Sequence, residues 1–179
     1  AKAAEPIEIF DAHLHYNWEP KPHYSLDEVL ALFKKHRVTG ILATSRPNTG
    51  THALMDAKAE GLQVVPFIRP YRVRADIQTW FGDPFIFELV QEEFKRGYYR
   101  GIGEFHLSGR AADTEWVKKT VDFAVANDLY LHAHADDLAV AHDGQRSAGR
   151  RFRRRVQDHC AIGRTRHARI GNAHHVLDT

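Results

Sequence analysis

The chain of 179 residues has little cysteine and no long hydrophobic run. Its one cysteine, Cys160, excludes an intrachain disulfide and a zinc site built from several thiolates. No apolar run approaches the roughly 20 residues that cross a membrane, so we expect a soluble protein without a membrane partner. The hydrophobic share of 43% and the charged share of 27% are ordinary for one globular domain.

Lysine and glutamate are absent from the last 36 residues, which therefore differ in composition from the rest of the chain. Residues 1–143 hold 16 Lys and Arg against 21 Asp and Glu, a net charge of −5. Residues 144–179 hold nine Arg and two Asp, a net charge of +7. We therefore treat residues 1–143 as the folded domain and residues 144–179 as an Arg-rich tail.

Strand and helix patterns alternate along residues 1–143. Ser25 and Glu28 form the pattern of a capping box, which predicts that a helix begins there. Strand starts recur about every 30 residues, the size of a βαβ unit, and such repeats predict a parallel sheet. A complete eight-unit barrel needs about 250 residues, so we expect an incomplete TIM-barrel-like α/β fold with about five strands. The predicted strands are 7–10, 40–44, 64–68, 100–105 and 130–135, and the later predicted helices are 51–60, 84–95 and 114–127.

Histidines and one carboxylate gather at the predicted carboxyl ends of three strands. Parallel α/β folds place their chemistry at these ends. Neutral imidazoles with a carboxylate suit Zn, Mn, Fe or Ni, and a cation would offset the cost of burying the carboxylate. The alternative is a set of ordinary loop histidines bonded to backbone or water. The residues are His13 and His15 on the first strand, Glu104 and His106 on the fourth, and His132 and His134 on the fifth.

Three segments resemble a known family. Asp11–His15 after an apolar strand is similar to the His-x-His signature of the amidohydrolase superfamily. Residues 101–106 and 129–136 resemble the fourth and fifth strands of its amidohydrolase-related branch, the metal-dependent hydrolases, and the likeness runs from about 7 to 141. The resemblance implies a (β/α)8 barrel with one or two divalent metals at its mouth. There the metal activates water to attack an amide or ester carbonyl of a small molecule, and some members decarboxylate instead.

The resemblance also implies roles for individual residues. His13 and His15 match the metal ligands of the first strand. Glu104 matches a position that is a bridging lysine or a glutamate in many members. His134 matches the ligand of the fifth strand, while His132, two residues deeper, is either a residue that supports a ligand or the ligand itself. The implied cofactor is a divalent metal; we favour zinc and leave Mn, Fe and Ni open.

Other residues near the same mouth are candidates for substrate contacts. His106 could ligate the metal, contact substrate or lie on the surface, and we favour the last two. Arg46 and Arg69 could bind an anionic substrate through paired hydrogen bonds, as could Arg72 and Arg74. The alternative for each arginine is a solvated loop side chain.

The catalytic base of the family has no match in this sequence. The family uses an aspartate that ends the eighth strand as general base, and a further histidine that ends the sixth. His159, His174, His175 and Asp178 lie in the tail, but none follows an apolar strand. We therefore expect this chain to bind metal weakly and to turn over little substrate.

The Arg-rich tail has two possible interpretations. One is a basic arm that binds nucleic acid, in a binding protein or non-catalytic remnant. The other is out-of-frame translation after about residue 140, which would be rich in Arg, Ala, Gly and His. We favour the second and expect an irregular, poorly ordered tail, so that nucleic acid is not the expected partner. Self-association through an open sheet edge is a further expectation. Ala1 fits a cleaved signal peptide or a cloning remnant, which leaves the cytoplasm and the periplasm open.

Overall fold

The computed structural model describes residues 6–135 in full and residues 159–164 and 171–172 by their backbone. Residues 6–135 form an α/β fold in which strands and helices alternate, as the sequence predicts. The elements are β1 Ile9–His15, α1 Leu26–Lys35, β2 Val38–Thr44, α2 Thr49–Asp56, β3 Gln63–Ile68, α3 Pro84–Phe94, β4 Gly101–Leu107, α4 Glu115–Ala126 and β5 Tyr130–Ala135.

The five strands β1 to β5 are parallel and lie side by side in chain order. Neighbouring strands are spaced about 4.8 Å apart, so in a flat sheet β1 and β5 would be roughly 19 Å apart. The rings of His13 on β1 and His132 on β5 are separated by only 4.8 Å between centroids. The sheet therefore curls into a half-barrel, which confirms the coarse TIM-like prediction.

Two of the helices, α1 and α3, begin where a side chain accepts from one of the first N–H groups. The Ser25 side chain accepts from the Glu28 N–H, and the Glu28 carboxylate accepts from the Ser25 N–H, so the predicted capping box is present. Asp83 caps α3 by accepting from the Phe85 N–H, and Pro84 occupies the first helical position. The helices cover two clusters of buried apolar residues, a smaller one with β1 and β2 and a larger one with β4 and β5.

The bounds of β1 and α2 are two that differ from the prediction, and the difference in β1 concerns the site. β1 runs from residue 9 to 15 instead of 7 to 10, because Leu14 and His15 continue the pairing with β2 after the apolar run has ended. His13 and His15 therefore lie within the strand. α2 ends at Asp56 instead of near residue 60, and Lys58 then adopts a left-handed φ of 44°.

The backbone beyond residue 143 forms strands where the structure describes it. β6, His159–Arg164, pairs antiparallel with β5, and β7, Gly171–Asn172, pairs antiparallel with β6. The expectation of an irregular tail is therefore wrong for these two ranges, because an open strand edge offers backbone partners to any segment, whatever its apolar pattern. The arginines of 150–155, His174, His175 and Asp178 lie outside the described residues.

The two edges of the half-barrel differ. β6 lies along β5, whereas β1 pairs only with β2 among the described strands. Self-association through an open edge thus stays a prediction, and β1 is the edge that it concerns. Within the described ranges, no helix has both the length and the apolar character that a membrane crossing requires.

Candidate metal centre

The two β1 histidines meet at one point on the inner face of the half-barrel. Residues i and i+2 of a strand project to the same side, and the Nε2 atoms of His13 and His15 are 2.9 Å apart. Both face Oε2 of Glu104, at 3.4 Å from His13 and 3.1 Å from His15. Burial is the largest influence on His15 and lowers its pKa, which favours the neutral imidazole that a metal requires.

Glu104 reaches this point because β4 carries an irregularity there. Gly103 pairs with His132 and Phe105 with the next residue of β5, so Glu104 is an extra residue between two ladder positions. Gly103 has a φ of 141°, and a Cβ on it would lie 2.1 Å from the His132 carbonyl oxygen. Glycine is therefore required at this position, and the Glu104 side chain is directed into the buried interior.

The Glu104 carboxylate is ionised by its neighbours. Burial alone would raise its pKa, but hydrogen bonds from His13 and His15 hold the pKa well below its usual range. A third neighbour, Arg69, directly follows β3, and its Nη2 lies 3.4 Å from the same Oε2. A guanidinium stays protonated in proteins, so Arg69 already supplies a cation to Glu104. The sequence analysis expects a cation to offset the cost of burying Glu104, and Arg69 is one such cation.

The two β5 histidines occupy different depths. His132 is fully buried, and burial, followed by the nearby His13, lowers its pKa to about 3. His132 belongs with His13 and Glu104 in a group whose possible ligand atoms all lie within 4.8 Å of one another. The side chain of His134 is 52% exposed, and its Nδ1 lies 3.4 Å from the other Glu104 oxygen, Oε1. The structure thus brings His132, the alternative ligand, to the β1 pair.

His106 forms a second group of possible ligands together with Glu104 and His134. Its ring stacks on His134 with centroids 4.9 Å apart. Its backbone is held from the interior, since its N–H donates to the Tyr71 hydroxyl at 2.7 Å and its carbonyl accepts from Trp80 Nε1 at 2.8 Å. His106 is therefore a fixed residue at the rim of the site and not a freely solvated surface histidine.

The distances fit a metal ion. Ligand bonds of about 2.0–2.1 Å in tetrahedral geometry place ligand atoms roughly 3.3 Å apart. The His13–Glu104 and His15–Glu104 separations of 3.4 and 3.1 Å are close to this value, and the His13–His15 separation of 2.9 Å is somewhat shorter. Among the described residues, neither group of possible ligands contains an aspartate.

Two of the other predicted arginines, Arg46 and Arg72, are paired with carboxylates, whereas Arg74 donates its backbone N–H to Glu19. Arg46 donates from Nε to Glu19 at 2.5 Å. Arg72 contacts Asp76 at 3.0 Å and Asp83 at 2.6 Å. These pairs engage the guanidinium groups of Arg46 and Arg72 within the protein. Within the described part of the chain, Arg69 is the predicted arginine that contacts Glu104 and a β1 histidine.

Two residues of the site received no role from the sequence. Thr44 ends β2, and its Oγ1 lies 2.7 Å from Nδ1 of His15. Tyr71 is fully buried, and its hydroxyl lies 3.1 Å from Nδ1 of His106. The only available signal was their position at or just beyond the carboxyl end of a strand, which does not distinguish a hydroxyl that orients a histidine from one that packs.

Comparisons with known proteins do not extend this description. No family model matches the chain, no curated protein matches it, and no solved structure matches it. Fold and site together define a class only: an α/β half-barrel with a histidine and glutamate cluster at the carboxyl ends of its strands.

Proposed function

We propose that this chain is a metal-dependent hydrolase of the amidohydrolase-related type, acting on an amide or ester bond of a small molecule. The observation that carries the proposal is the convergence of His13 Nε2, His15 Nε2 and Glu104 Oε2 from opposite sides of a curled sheet. The segments that bear these residues are the ones that resemble the amidohydrolase superfamily. Two independent arguments, geometry and sequence pattern, therefore select the same residues.

In this proposal His13, His15 and Glu104 would hold a divalent metal, with zinc favoured, and His132 and His134, each grouped with Glu104, are the further candidate ligands. These residues would hold the metal so that it could lower the pKa of a coordinated water and polarise a substrate carbonyl. Glu104 contributes the negative charge of the ligand set. Burial keeps His132 neutral, so that one of its ring nitrogens remains able to accept a hydrogen bond or to ligate. His134 lies at the more exposed rim, where substrate would approach.

The step that the described residues do not supply is proton removal by an aspartate. The family's general base ends a later strand, and the groups of possible ligands in residues 6–135 contain only histidine and glutamate. We therefore propose a chain that binds metal and hydrolyses substrate slowly. Metal binding is the property to be measured first.

Zinc binding can be measured by calorimetry on chelator-treated protein, with manganese as a second metal. We expect about one zinc per chain and a loss of at least about 100-fold in affinity in the His13→Asn/His15→Asn double variant. The matched control is His23→Asn/His36→Asn, which removes two exposed histidines and should bind as the unmodified chain does. Equal binding by both double variants, or no binding by the unmodified chain, would refute the metal proposal.

A hydrolysis assay tests the activity itself. Amide, ester and lactone substrates should be hydrolysed slowly, and a chelator should abolish the reaction. Hydrolysis that persists in the chelator and in the His13→Asn/His15→Asn variant would contradict the proposal. Release of carbon dioxide from carboxylated substrates, without hydrolysis, would instead assign the chain to the decarboxylases of the same superfamily.

A further inference from the structure

One ring nitrogen of His15 has two neighbours of opposite hydrogen-bonding character. Its Nδ1 lies 2.7 Å from Thr44 Oγ1 and 2.7 Å from Arg69 Nη1. A guanidinium can only donate hydrogen bonds, whereas a hydroxyl both donates and accepts. The same nitrogen can therefore be an acceptor toward Arg69 or a donor toward Thr44.

The contact with Arg69 defines one state of the imidazole. When Arg69 donates to Nδ1, this nitrogen carries the lone pair, and the ring proton of neutral His15 is on Nε2. The Nε2–H can then donate to Glu104 Oε2, 3.1 Å away. Arg69 also contacts this Oε2 at 3.4 Å, so the buried carboxylate is satisfied entirely by groups of the protein.

A metal requires the other state. An imidazole that ligates through Nε2 needs its lone pair there and carries its proton on Nδ1, where a partner that accepts this proton fixes the ring. Thr44 Oγ1 can be that acceptor, and its own hydroxyl can donate to the Leu14 carbonyl at 3.4 Å. An Arg69 N–H facing the Nδ1–H at 2.7 Å would be two donors in contact, so Arg69 must move away.

We propose that Arg69 and Thr44 are positioning residues that select between two tautomers of His15. Arg69 favours the Nε2–H tautomer and serves as the internal cation of the site, whereas Thr44 favours the Nδ1–H tautomer, which binds metal. The part of this inference that concerns metal affinity rests on the proposed function. The proposal predicts that substitutions of Arg69 and of Thr44, which both contact Nδ1 of His15, change zinc affinity in opposite directions.

Zinc affinity, measured by competition with a chromogenic chelator, tests whether the two substitutions have opposite effects. Arg69→Met should bind zinc about 10-fold more tightly than the unmodified chain, and Thr44→Val about 10-fold more weakly, the lower range for residues that orient a ligand. Arg46→Met is the charge control, because Arg46 is paired with Glu19. Thr39→Val is the control at the other end of β2. Equal gains in Arg69→Met and Arg46→Met, or weaker binding by Arg69→Met, would overturn the inference.

Nitrogen-15 NMR of the histidine rings tests the tautomers without metal, with His15→Asn used to assign the signals. The metal-free chain should show His15 protonated on Nε2, and Arg69→Met should shift the population toward Nδ1. Should Arg69→Met fail to fold, Arg69→Lys serves instead, since lysine keeps the charge but not the fork of donors. His15 protonated on Nδ1 in the metal-free unmodified chain would reject the inference, whatever the zinc result. If neither the unmodified chain nor Arg69→Met binds zinc, the proposed function fails, and the ring signals alone decide the inference.

Discussion

Two strands of the half-barrel carry the same His-x-His spacing and use it differently. On β1, His13 and His15 are both partly exposed and share one oxygen of Glu104. On β5, His132 is fully buried, whereas the side chain of His134 is 52% exposed and contacts the other oxygen. The spacing places two imidazoles on one face of a strand, but the depth of each strand in the half-barrel decides what the imidazoles contact.

The different depths of His132 and His134 follow from the way in which β5 pairs with β4. His132 pairs with Gly103, and His134 pairs with His106, with the irregularity at Glu104 between these two levels. The missing side chain of Gly103 lets the backbone of His132 approach closely. The two strands therefore present histidines to the same carboxylate from different levels, and each variant below changes one side of this arrangement.

The largest expected effect is on folding, from Gly103→Ala. A Cβ at this position would lie 2.1 Å from the His132 carbonyl oxygen, on a residue with a φ of 141°. We expect the free energy of unfolding in urea to fall by more than about 3 kcal/mol, from strain and overpacking together. Gly82→Ala is the control, because nothing lies within 4 Å of its Cβ position. A Gly103→Ala protein as stable as this control would show that β4 and β5 can separate without cost.

Glu104→Gln should have the next largest effect, because it removes the group that both histidine pairs share. With chelator present, the variant leaves the buried Arg69 guanidinium without a carboxylate, and loss of one partner of a buried pair costs about 3 kcal/mol. Urea unfolding measures the change, with Glu92→Gln, an exposed partner of Lys95, as the control. Equal stability of the two variants would mean that Arg69 does not depend on Glu104.

The pH dependence of stability should report His132. Its pKa is lowered to about 3 in the folded chain from 6.5, so between these values the unfolded chain binds more protons. Its contribution to stability is therefore complete above about pH 6.5 and is lost as the pH falls toward 3. His132→Gln should flatten the rise of unfolding free energy with pH by up to about 1.4 kcal/mol per unit.

The matched control for this measurement is Phe67→Leu. Phe67 is buried against the His132 ring, with centroids 6.3 Å apart, and its substitution loosens the packing without removing a titratable group. The control should keep the slope of the unmodified chain in metal-free buffer between pH 4 and 6. A His132→Gln protein with that same slope would show that His132 is protonated in the folded chain.

The smallest effect is expected at the exposed end of β5. His134→Asn should lower zinc affinity by less than about 10-fold, while His13→Asn should lower it by about 100-fold. The reason is that His13 meets the oxygen shared with His15, whereas His134 meets the other one at the exposed rim. Calorimetry on both variants tests this order. Equal losses of zinc affinity in the two variants would indicate that His134 is the metal ligand on β5, as the family resemblance implies.

Much of the fold could be predicted because its signals are local. Pro84 with Asp83 marks the start of α3, and the alternation of Tyr130–Ala135 gives the bounds of β5 as the structure has them. The strands beyond residue 143 could not be predicted, since β6 pairs with β5 through backbone groups that leave no side-chain pattern. The end of β1 was missed for the same reason, because His13 and His15 continue a strand through its pairing and not through apolar character.

By itself the sequence determined which side chains reach the carboxyl ends of the strands. His13, His15 and Glu104 follow from a period of two within strands and about 30 residues between them, both of which are short-range properties of the chain. Only the tertiary structure decided that Arg69 would be the cation beside Glu104 and that His132 would lie deeper than His134. Those outcomes depend on the curl of the sheet and on the irregularity in β4, which bring together residues that are distant in the chain.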